Sequence, residues 1–274
     1  MKAITVKAVS VNDRSTRAFD TAAADFDRLG EYLWRPIAAA TLESTAPASG
    51  ERVLDACCGT GASALPSAER VGPAGRVDAV DLSGALIDVL RQRASGYPQL
   101  HPHIGDVTAW PHDGYDLVQV VLGIFFFPDM TTGTDYLIGR VRPGGRAGFT
   151  IWRRGAVEIA GKHLGAAVAA VTGAAPPPPR PPHLVDELNQ PDLFRIWLGE
   201  RSLTDVTVTE NELRLPLTPE IAWLIVTGSG FAGALAELDE AQRIAVRDAY
   251  LGSLDAAGIS ELDATTLIGV GIRR

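Results

Sequence analysis

Apolar positions along the chain fall into two alternating rhythms. Residues 52–56, 76–81, 99–104, 115–122 and 146–152 are short apolar runs bounded by Gly, Pro, Asp or Ser, which predicts strands. Between them, residues 62–71, 84–95 and 131–141 carry apolar side chains at helical spacing. Such alternation predicts a parallel sheet covered on both faces. The run Leu117-Val118-Gln119-Val120-Val121-Leu122 is almost wholly apolar, as a central strand requires. Pro102 removes a backbone donor from the third strand and predicts a sheet edge.

The flanks read differently. Residues 1–15 are expected to be a loose or edge segment. Thr16 to Thr45 has a helical pattern through Phe19, Phe26, Leu29, Leu33 and Ile37, kinked or restarted at Pro36. After Trp152 comes an alanine-rich helix over 156–171, then AAPPPPRPPH (174–183), an extended spacer. A helix at 191–200, an alternating strand at 203–215, helices over 218–257 broken at Thr227-Gly228-Ser229-Gly230, and a last strand at 265–273 complete the prediction. The chain thus divides into a helical segment (1–50), an α/β core (51–155) and a remainder (156–274) whose 218–257 part inserts as a helical cap over a pocket.

Composition narrows the class of function. A net charge of −8 over 274 residues argues against tight nucleic-acid binding, which draws on clustered positive charge. Cys57 and Cys58 are adjacent, a poor arrangement for a structural disulfide, and fit a reduced, cytoplasmic setting. MKAITVKAVSVNDR shows no signal-peptide core, and no uninterrupted apolar run approaches the ~20 residues of a membrane span.

The candidate chemistry begins at Asp55, where the first strand meets the turn containing Gly59 and Gly61 and then a helix start. Strand, glycine turn and helix N-terminus make a cradle for a small ligand. Asp81 ends the second strand, 20 residues beyond Gly61, where a carboxylate can accept hydrogen bonds from ribose hydroxyls. Gly59-Thr60-Gly61-Ala62-Ser63-Ala64 also satisfies the G-x-G-x-x-A dinucleotide pattern. Asp55 opposes that reading: a carboxylate at the loop repels a diphosphate but suits the ammonium and sulfonium of S-adenosylmethionine. A purely structural Asp55, capping a backbone N–H, is the competing reading.

Asp55-Ala56-Cys57-Cys58-Gly59-Thr60-Gly61, Asp81-Leu82-Ser83, Gly105-Asp106-Val107, Asp116-Leu117-Val118 and Arg142-Pro143-Gly144-Gly145-Arg146 together resemble class I S-adenosylmethionine-dependent methyltransferases, over roughly residues 50–152. Within that superfamily the chain looks most like the branch near ubiquinone/menaquinone-pathway and natural-product enzymes. The resemblance implies a Rossmann-like seven-stranded sheet, order 3-2-1-4-5-7-6 with strand 7 antiparallel. It implies S-adenosyl-L-methionine as cofactor and methyl transfer to a small-molecule acceptor. Gly59, Thr60 and Gly61 would admit the methionine moiety, Asp81 and Leu82 the ribose, Asp106 and the Val107 N–H the adenine. Leu122 and Gly123 would lie beneath the reactive methyl. Cys57 departs from the family, standing where many members have glycine.

Methyl transfer asks mainly for alignment and a dry pocket. The end of strand 4 reads Leu122-Gly123-Ile124-Phe125-Phe126-Phe127-Pro128-Asp129, an apolar rim without the Asn/Asp-Pro-Pro-aromatic motif of amine methyltransferases. Trp152-Arg153-Arg154-Gly155 replaces the Asp-Asn pair of metal-dependent catechol methyltransferases, so no metal is expected. His163 and Asp129 are the candidate bases, each with a competing role as a capping or surface group. His101 and His103 share a strand face but lack a third metal ligand nearby, and His112 and His183 read as solvated loop residues. Trp223 and Phe231 either touch the acceptor or pack the cap. Two other functions stay open: a nicotinamide-dependent oxidoreductase, and a cofactor-binding protein of this fold that transfers no methyl.

Overall fold

The computed structural model describes residues 11–173 and 182–274, with side chains from Thr16 onward. The strands are β1 (Arg52–Ala56), β2 (Arg76–Asp81), β3 (Leu100–Ile104), β4 (Tyr115–Val121), β5 (Val141–Trp152), β6 (Leu203–Asn211), β7 (Arg214–Pro216), β8 (Glu261–Asp263) and β9 (Thr266–Arg273). Seven form one sheet in the order β3-β2-β1-β4-β5-β9-β6. Pairs among the first five are parallel, and β9 runs antiparallel to both β5 and β6. This is the order expected, with β9 as the seventh strand, and β3 with its Pro102 is the edge.

The helices are α1 (Val11–Leu29), α2 (Arg35–Thr45), α3 (Ala64–Val71), α4 (Gly84–Arg93), α5 (Met130–Ile138), α6 (Glu158–Thr172), α7 (Leu184–Leu188), α8 (Pro191–Gly199), α9 (Pro219–Thr227) and α10 (Glu240–Ala256). β4 is central because it can be: Leu117, Val118 and Val120 are fully buried between β1 and β5. Its one polar interior residue, Gln119, is satisfied. It accepts from Thr45 Oγ1 at 3.2 Å and donates to Ser67 Oγ at 3.0 Å, tying α2 and α3 to the sheet. Arg146 closes the same, C-terminal end of α2, donating to the Thr45 and Ala46 carbonyls and pairing with Glu51 at 2.7 Å.

Several boundaries differ from the sequence reading. The segment expected to be loose over 1–15 is already helical from Val11, while residues 1–10 lie outside the described part. The kink expected at Pro36 is a π-turn over Gly30–Trp34, in which the Arg35 N–H reaches back to the Gly30 carbonyl. The wider turn lets the helix pass a proline that has no N–H to offer. β5 starts at Val141 rather than 146; a register shift opposite Tyr115 and Leu117 absorbs the Pro143-Gly144-Gly145 run. The single strand expected at 203–215 is split, β7 leaving the main sheet to pair with β8. The proline-rich spacer falls largely outside the described residues. The break expected after Thr227 is present, and packing explains it: a β-carbon on Gly228 would lie 2.5 Å from the Asp25 carbonyl oxygen, so glycine lets α9 press against α1.

Candidate active site

A cavity of about 630 Å³ opens at the carboxyl ends of β1, β2 and β4, roofed by α1 and the segments around α6, α7 and α9. Ligands of open α/β sheets bind at such strand ends.

The loop after β1 turns through three left-handed residues, Cys57 (φ +59°), Gly59 (φ +54°) and Gly61 (φ +90°). A β-carbon at Gly59 would come within 3.0 Å of the Phe26 ring, and one at Gly61 within 2.4 Å of Leu90. Cys57 adopts a conformation that glycine takes more easily. Its side chain lines the cavity and packs on Gly123. Burial, reinforced by the surrounding aspartates, pushes both cysteine thiols up, so they are protonated.

Three carboxylates frame the loop. Asp81 lines the cavity; its oxygens accept the Gly59 and Ser83 N–H groups, each at 2.9 Å, and burial raises its pKa. Each oxygen keeps a further lone pair. Asp106 also lines the cavity, with Oδ1 capping a short turn through the Thr108 N–H (2.8 Å) and hydroxyl (2.7 Å). Asp55 stands behind the loop, fully buried, with no hydrogen-bond partner at either oxygen. Burial pushes its pKa up to about 7, against the partial relief of neighbouring Ser63 and Gln119.

Of the ten residues expected to bind cofactor, Gly59, Asp81, Leu82, Asp106, Val107, Leu122 and Gly123 line the cavity. Asp55, Thr60 and Gly61 sit behind the wall; the Thr60 carbonyl accepts from Arg93, which also pairs with Asp27 of α1 at 2.6 Å. Leu122 holds φ +54° where β4 ends, a second strained non-glycine residue facing the cavity. One contributor was invisible in the sequence: Asp20 of α1 accepts from Ser83 Oγ (2.6 Å) and the Ala85 N–H (3.2 Å), clamping the loop that carries Asp81. An aspartate on an amphipathic helix gives no signal of such a partner.

The rest of the wall is aromatic. Phe19 meets Phe126 and Phe26 edge-on at 5.6 and 5.9 Å, and Phe26 stacks on Trp34 at 5.1 Å. Phe125, Trp152 and Phe231 continue the lining. The two candidate bases are elsewhere. His163 bonds Ser253 of α10 at 2.9 Å, and Asp129 caps α5 through the Thr132 N–H at 2.8 Å. Neither lines the cavity, and neither does Trp223, which packs near Tyr250. The histidine that does is His183, expected in solvent but held as the cap of α7. Its signal was the His183-x-x-Asp186 capping-box spacing directly after the proline run.

A family profile described as a methyltransferase domain matches residues 53–145. Residues 53–145 thus carry a methyltransferase domain. Curated relatives of this methyltransferase domain include the aklanonic acid methyltransferase DauC of Streptomyces sp. (strain C5), 32% identical over 145 residues, 52% of this chain and 66% of that protein. The demethylmenaquinone methyltransferase of Clavibacter sepedonicus is 32% identical over 137 residues, 47% of this chain and 54% of that one. The chain spans about half to two thirds of the length of such relatives. Among solved structures, phosphoethanolamine N-methyltransferase 2 of Haemonchus contortus superposes with a TM-score of 0.60 at 16% identity, over 97% of this chain and 60% of that one. That likeness is one of fold.

Proposed function

We propose that the protein transfers the methyl group of S-adenosyl-L-methionine to a small organic acceptor of quinone-like or secondary metabolism, in the cytoplasm and without a nucleic-acid partner. The observation that carries this reading is Asp55: a carboxylate without a hydrogen-bond partner, buried behind the glycine turn that borders a cavity rich in aromatic side chains. Such a site suits a cationic amino acid moiety and repels a diphosphate, which sets the nicotinamide alternative aside. The names of the curated relatives support the acceptor class, and the free cysteines support the compartment.

The residues present fit the cofactor. The turn has no room for a β-carbon at Gly61 and little at Gly59, which lines the cavity. When bound, S-adenosylmethionine supplies an electrophilic methyl group on a cationic sulfur. Asp81 would take the ribose hydroxyls with the lone pairs its two backbone donors leave free. Asp106 would receive the adenine amino group on the oxygen that Thr108 does not use, beside the Val107 N–H. Leu122 and Gly123 would support the methyl end. The phenylalanines exclude water and limit the acceptor to an in-line approach.

Calorimetric titration with S-adenosylhomocysteine and, separately, NADH tests this. Micromolar binding of the former, weakened about tenfold or more by Asp81→Asn, is expected. Binding of NADH with none of S-adenosylhomocysteine overturns the reading.

A further inference from the structure

Part of the cavity's polar lining comes from the two ends of one short helix. His183 precedes α7 and Asn189 follows it, and both line the cavity. His183 Nδ1 accepts the Val185 N–H at 3.2 Å, while its own backbone N–H donates to Asp186 at 3.2 Å. A ring nitrogen that accepts a hydrogen bond carries no proton, so the neutral ring is protonated at Nε2. Nε2 has no partner among the described residues. Asn189 is oriented in the same way: Oδ1 accepts from Arg154 Nε at 3.0 Å, which leaves Nδ2 as a donor without a partner among the described residues.

The charged neighbours are committed elsewhere. Arg153, on the same wall, is balanced by Asp263 at 2.7 Å and Glu210 at 3.3 Å. Glu158 receives the Gly155 N–H at 3.2 Å. Among the described residues, the ends of α7 offer the cavity two neutral N–H donors, His183 Nε2 and Asn189 Nδ2, and the arginine beside them, Arg153, is paired with Asp263. Carboxylates alone are weak bases for a hydroxyl of high pKa. Two such donors on one short helix, with no basic nitrogen among the described residues beside them, suit an oxygen that is already negative when it arrives.

We propose that His183 and Asn189 hold an ionised acceptor oxygen, an enolate, phenolate or carboxylate on a flat apolar body, and so select acidic acceptors; this rests on the methyl-transfer reading above. The lone pair on that oxygen, or on an atom conjugated with it, forms the new bond to the methyl carbon. The carbon–sulfur bond breaks, its electron pair stays on sulfur, and no proton moves in the step. His183 is a specificity residue that donates, not the base that a histidine in this place suggests.

The probes are 2-hydroxy-1,4-naphthoquinone, an acidic enol on an aromatic body, and its 2-methoxy ether, which has the same rings and no ionisable oxygen. Each is titrated calorimetrically into the full chain saturated with S-adenosylhomocysteine. Wild type should prefer the hydroxy compound by about tenfold, the worth of one charge-assisted hydrogen bond. His183→Phe should reduce that preference to under about threefold, and His183→Gln, which keeps an N–H donor, should retain most of it. Both variants should bind S-adenosylhomocysteine as wild type does, which separates lost recognition from lost folding. Equal affinity for the two probes, no binding of either, or a preference unchanged in His183→Phe overturns the proposal. Failure of wild type to bind S-adenosylhomocysteine instead overturns the methyl-transfer reading beneath it.

Discussion

The side chain of Cys57 fills the space into which a β-carbon on Gly123 would project: that carbon would lie 2.7 Å from Cys57 Cβ and 2.8 Å from Sγ. The two loops that meet under the cavity, after β1 and after β4, are therefore fitted to one another. Gly123→Ala should cost about 1–3 kcal/mol by overpacking. Cys57→Gly relieves a left-handed non-glycine residue and opens the contact, so the double variant should recover about 1 kcal/mol of that loss. Part of the cost will remain, because Val120 also stands 2.7 Å from the added carbon. Urea denaturation of the four proteins measures the coupling; additive effects would show that the loops are independent.

Asp55 should make both stability and ligand binding depend on pH near neutrality. Its folded pKa of about 7 lies above the ordinary 3.8. Between those values the folded chain keeps a proton that the unfolded chain has lost, so this residue's contribution falls as pH rises and levels off above about 7. Asp55→Asn should match wild type near pH 4 and exceed it in denaturation midpoint at pH 8. Affinity for S-adenosylhomocysteine, which bears an ammonium, should move the other way and rise through pH 7 in wild type as the carboxylate forms. A flat profile in Asp55→Asn is the matching outcome.

Gly228→Ala tests the roof. The added carbon would meet the Asp25 carbonyl at 2.5 Å and the Leu224 carbonyl at 2.9 Å, both backbone atoms that cannot rotate away. A loss of about 1–3 kcal/mol is expected. Because Phe19 and Phe26 of α1 line the cavity, S-adenosylhomocysteine affinity should fall with it.

The two histidine and aspartate positions that look catalytic in the sequence should prove dispensable for chemistry. His163→Ala and Asp129→Ala should retain methyl-transfer rates within about twofold of wild type. Asp129→Ala should lose roughly 1 kcal/mol of stability through its helix cap. A large fall in turnover for either, with binding intact, would return that residue to the mechanism.

The parallel core was legible because each of its strands is a short apolar run ending at a turn residue, and Asp55, Asp81 and Asp106 sit at those ends. Periodicity could not show that Val141 already belongs to β5, because the Pro143-Gly144-Gly145 run reads as a turn when no partner strand is in view. Nor could it separate β7 from β6, since alternation continues through Glu212 and Leu213 while the pairing partner changes. At the site, residues fixed by backbone geometry were readable and those fixed by long-range partners were not. His163 lies on a helix beside the cavity, but its rotation toward Ser253 depends on α10, 90 residues away. His183 looked like loop because α7 has only five residues and no apolar period to reveal it.

The π-turn at Gly30–Trp34 has a consequence for how α1 and α2 can vary. Each residue advances an α-helix by about 100°, so the wide turn shifts the phase between the stretch before it and the stretch after it. Upstream, Phe19 and Phe26 face the cavity; downstream, Thr41 and Thr45 face the sheet, bonded to Thr150 and Gln119. The pair works as one shaft with two keyways cut at different angles, and the turn sets the offset. Removing one residue there would leave the threonines seated and swing the phenylalanines more than a quarter-turn off the pocket, whereas substitutions on the outer face of either helix would leave the timing intact.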